Sequence, residues 1–260
     1  MKSQTNKNHK IGRKTVKKPV VVSNTFPMRI NKYLAHKGIA TRTGVDELIK
    51  SSKILINGAV AKLGDKVLET DKVEVRGTHN KKNLVYFAYN KPKGVVSTNP
   101  QGDEKDILQS LKETSNKYEG VFPVGRIDKE SHGLMILTND GRVTDRLLNP
   151  IYNHEKEYVV KIDRPHTPGF LRNMQEGVDI GDGFTKPAKV KKIDEETFSI
   201  TLTEGRNRQI RRMTEKLGYT VRDLQRTRVQ NIKLGKLAKN AVEEITGDER
   251  AEFLKSIGLE

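Results

Sequence analysis

Gly133-Leu134-Met135-Ile136-Leu137 is an unbroken apolar run of strand length, entered from a glycine-bounded loop and left through a turn at Asn139-Asp140-Gly141. Such a run reads as a buried strand, and a helix follows it to Leu148. A strand of this kind needs a core around it, and 260 residues suffice for one large domain with a small one beside it. Leu84-Val85-Tyr86-Phe87-Ala88-Tyr89 supplies a second strand, running into Asn90-Lys91-Pro92-Lys93-Gly94. Tyr158-Val159-Val160 begins a third, and Phe198-Ser199-Ile200-Thr201-Leu202 alternates as a fourth, leading into a helix that starts near Asn207. Thr167-Pro168 caps and starts a helix that Gly177 closes, and Thr246 with Glu249 forms a capping box for a last helix ending near Ile257. Strands outnumber helices without a regular βαβ alternation, which predicts an α+β fold.

Residues 28–77 form a separate compact unit. Ile30 and Leu34 share a helical face that Gly38 is placed to end, and Thr41 is placed to cap a second helix carrying Val45, Leu48 and Ile49. Lys53-Ile54-Leu55-Ile56, Asn57-Gly58 and Ala59-Val60 together are a hairpin signal, and Val73 and Val75 alternate with charges as a final short strand. Residues 78–83 read as a polar linker, so the large domain spans residues 84–260. Residues 1–27 hold seven Lys/Arg and no acid among Asn, Ser and Thr, the composition of a disordered basic arm that either tethers RNA or solubilises the chain.

The charge balance narrows the partner. Lys and Arg total 49 against 33 Asp and Glu, a formal +16 that suits a polyanion, since each neutralised phosphate releases counterions. The absence of cysteine excludes disulfides, thiol catalysis and cysteine zinc sites, and fits a reducing compartment. No apolar run approaches a membrane span and the N-terminus carries no apolar stretch like a secretion signal, so a cytoplasmic protein is expected.

Familiar catalytic signatures are missing: the six histidines have no metal-ligand spacing, and neither a Walker loop nor a dinucleotide glycine fingerprint occurs. Asp103, Glu104 and Asp106 read as a solvated turn and no metal site is expected. Three segments remain. In Gly125-Arg126-Ile127-Asp128-Lys129-Glu130-Ser131-His132-Gly133 a carboxylate stands at the end of a rigid strand, either as a site residue or as a loop aspartate paired with Arg126. In Glu204-Gly205-Arg206-Asn207-Arg208-Gln209-Ile210-Arg211-Arg212-Met213, a helix would put Arg208 on one face with Arg211 and Arg212, either to hold phosphate and neutralise a carboxylate or as an ordinary basic surface. In Lys156-Glu157-Tyr158-Val159-Val160 the tyrosine is either packing or a platform for a nucleobase.

These segments, with Asn90-Lys91-Pro92-Lys93-Gly94 upstream, occur in the order seen in the bacterial ribosomal RNA pseudouridine synthases that act on small- and large-subunit rRNA, and the chain resembles that family over about nine tenths of its length. Asn153-His154-Glu155-Lys156-Glu157-Tyr158 most resembles the branch that modifies 23S rRNA, and residues 28–77 resemble the alpha-L RNA-binding domain of ribosomal protein S-four. The resemblance implies a mixed, mainly antiparallel sheet with the active cleft across its middle. It puts Asp128 on the family's essential aspartate, Tyr158 on its active-site tyrosine and Arg211 on the arginine that pairs with the aspartate.

Arg126 falls on the residue that contacts RNA beside the extruded nucleotide. Ile127, Lys129, Arg208 and Gln209 are further RNA-binding candidates, with Arg29, Lys32 and Arg42 in the small domain. The implied partner is 23S rRNA rather than DNA or membrane, the implied enzyme is a monomer, and isomerisation requires no cofactor. Two departures stand out: Arg126-Ile127-Asp128 replaces the commoner Arg-Leu-Asp, and Thr41-Arg42-Thr43 replaces Ser-Arg-Arg, removing one cation from the small domain's RNA face. The rival readings are a non-catalytic ribosome-associated RNA-binding protein, against which an acid in an RNA cleft argues, and the same chemistry on small-subunit rRNA or tRNA.

Overall fold

The computed structural model describes residues 26–37, 39–40, 42–76, 83–98, 100–102, 104–112, 118 and 120–259. Gly38, Thr41, Asp103, residues 1–25 of the arm and residues 78–82 of the linker, on which some sequence expectations rest, lie outside these.

The N-terminal unit comprises β1 (Met28–Arg29), α1 (Ile30–His36), α2 (Arg42–Lys50), β2 (Ile54–Ile56), β3 (Ala59–Val60), β4 (Lys66–Val67) and β5 (Val73–Val75). Asn57 and Gly58 both take left-handed φ, +51° and +84°, as a two-residue hairpin between β2 and β3 requires. β5 pairs on the other side of β2, and β1 pairs with β4. The faces converge on Met28, Ile30, Leu34, Val45, Ile49, Ile54 and Val67, with Phe26 packed against them.

The remaining residues build β6 (Tyr86–Lys91), α3 (Ile107–Lys112), β7 (Phe122–Val124), β8 (His132–Thr138), α4 (Gly141–Leu148), β9 (Lys156–Ile162), α5 (Pro168–Glu176), β10 (Lys189–Lys192), β11 (Thr197–Leu202), α6 (Gln209–Lys216), β12 (Val221–Val229), β13 (Ile232–Lys233), β14 (Val242–Glu244) and α7 (Gly247–Ser256). The strands form one nine-stranded sheet in the order β10-β11-β9-β12-β8-β6-β14, with β13 on β12 and β7 on β8. The β8–β12 pairing is parallel and the others antiparallel, so the fold is α+β with a mixed, mainly antiparallel sheet. β8 is buried on both faces: Leu134 and Ile136 join Val143, Leu147 and Phe253 beneath α4 and α7, while Met135 and Leu137 join Phe87, Tyr89 and Ile107 on the other side. A third cluster, Val160, Ile162, Phe170, Met174, Phe198 and Met213, seats α5 and α6 on the far half of the sheet. No helix of the described residues is long and apolar enough to cross a membrane.

Three local expectations change. The helix expected from Asn207 starts at Gln209, because Arg208 sits at its N-cap in a left-handed conformation (φ +47°). Thr246 precedes α7, but its side chain makes no capping hydrogen bond, so the capping box is absent. Strand β9 opens two residues before Tyr158, at Lys156. Thr167, by contrast, caps α5 through Phe170 N, and Gly177 ends that helix at φ +112°.

Gly133 lies where β8 and β12 meet in parallel. At φ +105°, a Cβ there would stand 2.3 Å from Arg226 O and 2.8 Å from Arg226 N, both backbone atoms. Gly133→Ala is therefore expected to destabilise the large domain by at least about 3 kcal/mol, read as a shift in the denaturant midpoint. A midpoint unchanged from wild type would show that the strands need not approach so closely.

Two lysines are buried in this sheet, Lys91 at 0 % exposure and Lys156 at 8 %. Loss of hydration lowers each ammonium to about 8, a shift that Arg226 reinforces and that Asp128 partly opposes at Lys91. The folded chain thus sheds these protons while the unfolded chain keeps them up to about pH 10.5. Stability should rise from about pH 8 to about pH 10, because the unfolded state binds more protons in that window. Above about pH 10, Tyr86 and Tyr89, whose hydroxyls burial pushes up, oppose the trend. Urea melts at pH 8, 9 and 10 should show this rise in wild type and a smaller one in Lys91→Met; equal slopes would mean that Lys91 stays charged.

Candidate active site

The loop between β7 and β8 carries Asp128 and is fastened on several sides. Ser97 Oγ donates to Ile127 O (2.8 Å) and accepts from Ile127 N (3.0 Å), clamping the residue next to the carboxylate. Lys91 Nζ donates to Ser131 O and Pro92 O, both at 2.9 Å, and Gly94 N donates to Lys129 O at 2.8 Å. Ser131 N donates to Asp128 O (3.0 Å), closing the turn. A buried polar group left unpaired is costly, so these reciprocal bonds favour one loop conformation.

Opposite this loop stands the start of α6. Arg208 Nη1 and Arg211 Nε each lie 3.9 Å from Asp128 Oδ2, while Glu130 Oε2 accepts from Arg208 Nη2 at 3.4 Å and lies 4.0 Å from Arg211 Nε. Arg211 is 14 % exposed and held by Ser131 Oγ (3.0 Å) and Val221 O (3.4 Å). Its Nε makes no hydrogen bond among the described residues and faces the carboxylate, so an approach of about 1 Å would complete a charge-assisted bond. Arg208 reaches Asp128 by virtue of its left-handed backbone rather than through the helical face expected from sequence. Tyr158, on β9, completes the cleft with Leu202, Ile210 and Leu224.

The cleft measures about 90 Å³ and is lined by Arg126, Ile127, Asp128, Tyr158, Arg208 and Gln209 among others. Six of the residues picked from sequence therefore line the cleft, and Arg211 joins them at Asp128, whereas Lys129, Arg29, Lys32 and Arg42 do not. Lys129 turns away to pair with Glu104 at 2.6 Å. Gln209 borders the cleft but is buried, donating to Glu204 and accepting from Arg206 N, so it shapes the wall. Asp106 caps the start of α3 through Gln109 N. Arg29, Lys32 and Arg42 belong to the small domain. Arg42 borders a larger cavity of about 760 Å³ between the domains, lined also by Ala35, His36, Tyr118, Asp145 and Leu148. That cavity is larger, but none of the residues converging on Asp128 borders it, so chemistry and not volume identifies the active cleft.

Sequence reasoning missed Lys91 and Ser97, which touch the Asp128 loop from outside it, and the role of Ser131 within it. Lys91 lay inside the Asn90-Lys91-Pro92-Lys93-Gly94 motif, whose spacing says nothing of a strand that ends beneath a distant loop. Ser97 carried no signal at all.

Residues 85–216 match the family described as RNA pseudouridylate synthase, and residues 28–73 match the S4 domain. The chain is 41 % identical over 234 residues to the dual-specificity RNA pseudouridine synthase RluF of Escherichia coli strain K12, covering 88 % of this chain and 79 % of that protein. It is 35 % identical over 229 residues to the ribosomal large subunit pseudouridine synthase B of Bacillus subtilis strain 168, covering 85 % and 93 % of the two. A crystal structure of a pseudouridylate synthase superposes with a TM-score of 0.64 at 27 % identity, covering 88 % of this chain and 99 % of that one. A clamped aspartate between two arginines, in a sheet of this topology behind an S4 domain, thus accompanies similarity along most of the chain: the protein belongs to the RNA pseudouridylate synthase family and is an RNA-modifying isomerase.

Proposed function

We propose that this protein isomerises a uridine of 23S rRNA to pseudouridine, with Asp128 as the catalytic carboxylate. The observation that carries the reading is Asp128 held between Arg208 and Arg211 with Tyr158 in the same cleft. The large-subunit assignment rests on the B. subtilis relative, whose name states that subunit. A second reading has its own support: the E. coli relative is named dual-specificity, which favours a further RNA target for this chain.

The reaction breaks the bond between ribose C1′ and uracil N1, turns the ring and joins C1′ to C5. Nitrogen N1 gains a proton and C5 loses one, so nothing is oxidised and no group leaves. The target atoms sit inside a base stack, and extruding the nucleotide costs a few kcal/mol. Exposed Arg126 at the mouth and Arg208 supply phosphate contacts that offset that cost. Tyr158 stacks on the freed uracil while it turns, and Arg211 orients Asp128 toward the sugar. The S4 domain, with Arg29, Lys32 and Arg42, extends the RNA contact beyond the cleft.

Asp128→Asn keeps the shape and removes the charge. It is expected to lower single-turnover tritium release from C5-labelled rRNA by about 10³-fold or more, with RNA affinity unchanged within about threefold. Activity within about tenfold of wild type would reject Asp128 as the catalytic group. Arg211→Ala should reduce the rate about 10- to 100-fold and RNA affinity much less, because its contacts run to Ser131, Val221 and Asp128. A melting curve excludes misfolding, and a loss confined to affinity would reassign Arg211 to the RNA backbone.

A further inference from the structure

Phe184 is 71 % exposed, the most exposed large apolar side chain of the described residues. It stands at the end of a tight turn. Thr185 N donates to Val178 O, Val178 N donates to Thr185 Oγ1 (both 3.0 Å), and Asp179 bridges to Phe184. Gly181 and Gly183, at φ +95° and +102°, take the left-handed backbone that the turn requires.

Two arginines fasten this turn to α6 and the segment before it. Arg206 donates to Asp182 O, Gly183 O and Phe184 O at 3.4, 2.9 and 2.6 Å. Arg212 pairs with the Asp182 carboxylate at 2.9 Å and donates to Ile180 O. On the other side of the ring, Lys186 N donates to Glu204 Oε1 (3.0 Å), the same carboxylate oxygen that accepts from Gln209. Glu204, Arg206 and Gln209 all line the cleft that holds Asp128 and Tyr158. The ring is thus presented to solvent on a pinned backbone whose anchors form the wall of the active cleft.

Leaving a phenyl ring in water forfeits the gain from burying it, and a pinned ring loses little freedom when it meets a partner. The groups around it settle the partner's chemistry. The turn is flanked by Lys186, Arg206 and Arg212, the two arginines paired with Asp182 and Arg206 also with Glu204, and it offers no other large apolar side chain between Ile180 and Lys186. A protein docking face would extend the apolar surface; one aromatic ring among cations fits a nucleobase with its phosphates.

We infer that Phe184 is an RNA-binding residue whose ring stacks on an unpaired base of the substrate beside the uridine that enters the cleft. It thereby selects RNA in which a neighbour of the target is free to stack. The inference rests on the proposed function for the uridine in the Asp128 cleft and for the choice of rRNA used to test it.

The chain has no tryptophan, so Phe184→Trp places a single fluorescent reporter at the site. Titrated with in-vitro-transcribed 23S rRNA, this variant should bind like wild type with its emission quenched by the stacked base. Phe184→Ala and Phe184→Leu should each weaken binding by about tenfold at unchanged melting temperature, because leucine keeps apolar area but no stacking face. An unquenched tryptophan in the bound complex, or Phe184→Leu binding as tightly as wild type, would overturn the inference. If wild type fails to modify 23S rRNA, the large-subunit assignment falls, and the same series on the small-subunit transcript decides the stacking role separately.

Discussion

Strands β8 and β12 run side by side in parallel, and at their junction Gly133 brings its Cα within reach of the Arg226 backbone, closer than any side chain allows. Much of the large domain follows from that approach. β8 acquires a neighbour on each edge, β6 and β12, and both its faces are covered, so its entry point is rigid. The Asp128 loop ends at this point. β12 in turn carries β9, and with it Tyr158, to the same place. Two halves of the chain that are remote in sequence are thereby joined across one strand pair.

Around the junction the domain concentrates positive charge that it does not fully pair. Lys91, Lys156 and Arg226 are buried in or under the sheet, with Arg208 and Arg211 at the cleft above. Burying cations is costly, and Lys91 and Lys156 meet the cost partly by lowered proton affinity. Lys91 is also held by two carbonyls, Pro92 O and Ser131 O, and Arg226 by Leu134 O. The same cations favour a polyanion at the cleft. The tension between folding and function is thus located in a few side chains. Lys91, beneath the Asp128 loop, is fixed in part by a carbonyl of that loop, Ser131 O.

Much of this was legible in the residues. The apolar run at 133–137, the Asn57-Gly58 hairpin and the Thr167-Pro168 helix start are local signals, and each holds because the physics is local: burial period, left-handed turn residues and capping. Asp128, Tyr158 and Arg211 were visible as motifs and do converge. The errors were also physical. Arg208 was expected on a helix face if the helix opened there, but Glu204 accepts from Gln209 and from Lys186 N beside Phe184, and α6 starts only at Gln209, leaving Arg208 left-handed at its cap. Lys129, a candidate RNA contact, is paired with Glu104, 25 residues earlier. No spacing rule forecasts a pair between two loops.

The sequence by itself determined the two units, the strand-rich composition of the second, the basic character and the identities of the acid, tyrosine and arginine of the cleft. These depend on periodicity, turn chemistry and charge, which short stretches of chain carry within themselves. Only the tertiary structure decided which carbonyls hold Lys91, that Ser97 clamps Ile127, that Glu104 takes Lys129 and that Phe184 is pinned outward at the rim of the cleft. Each of those is a contact between segments far apart in the chain. Whether such segments meet depends on sheet order and close strand approach, which in this protein turn on a glycine against a backbone 93 positions away.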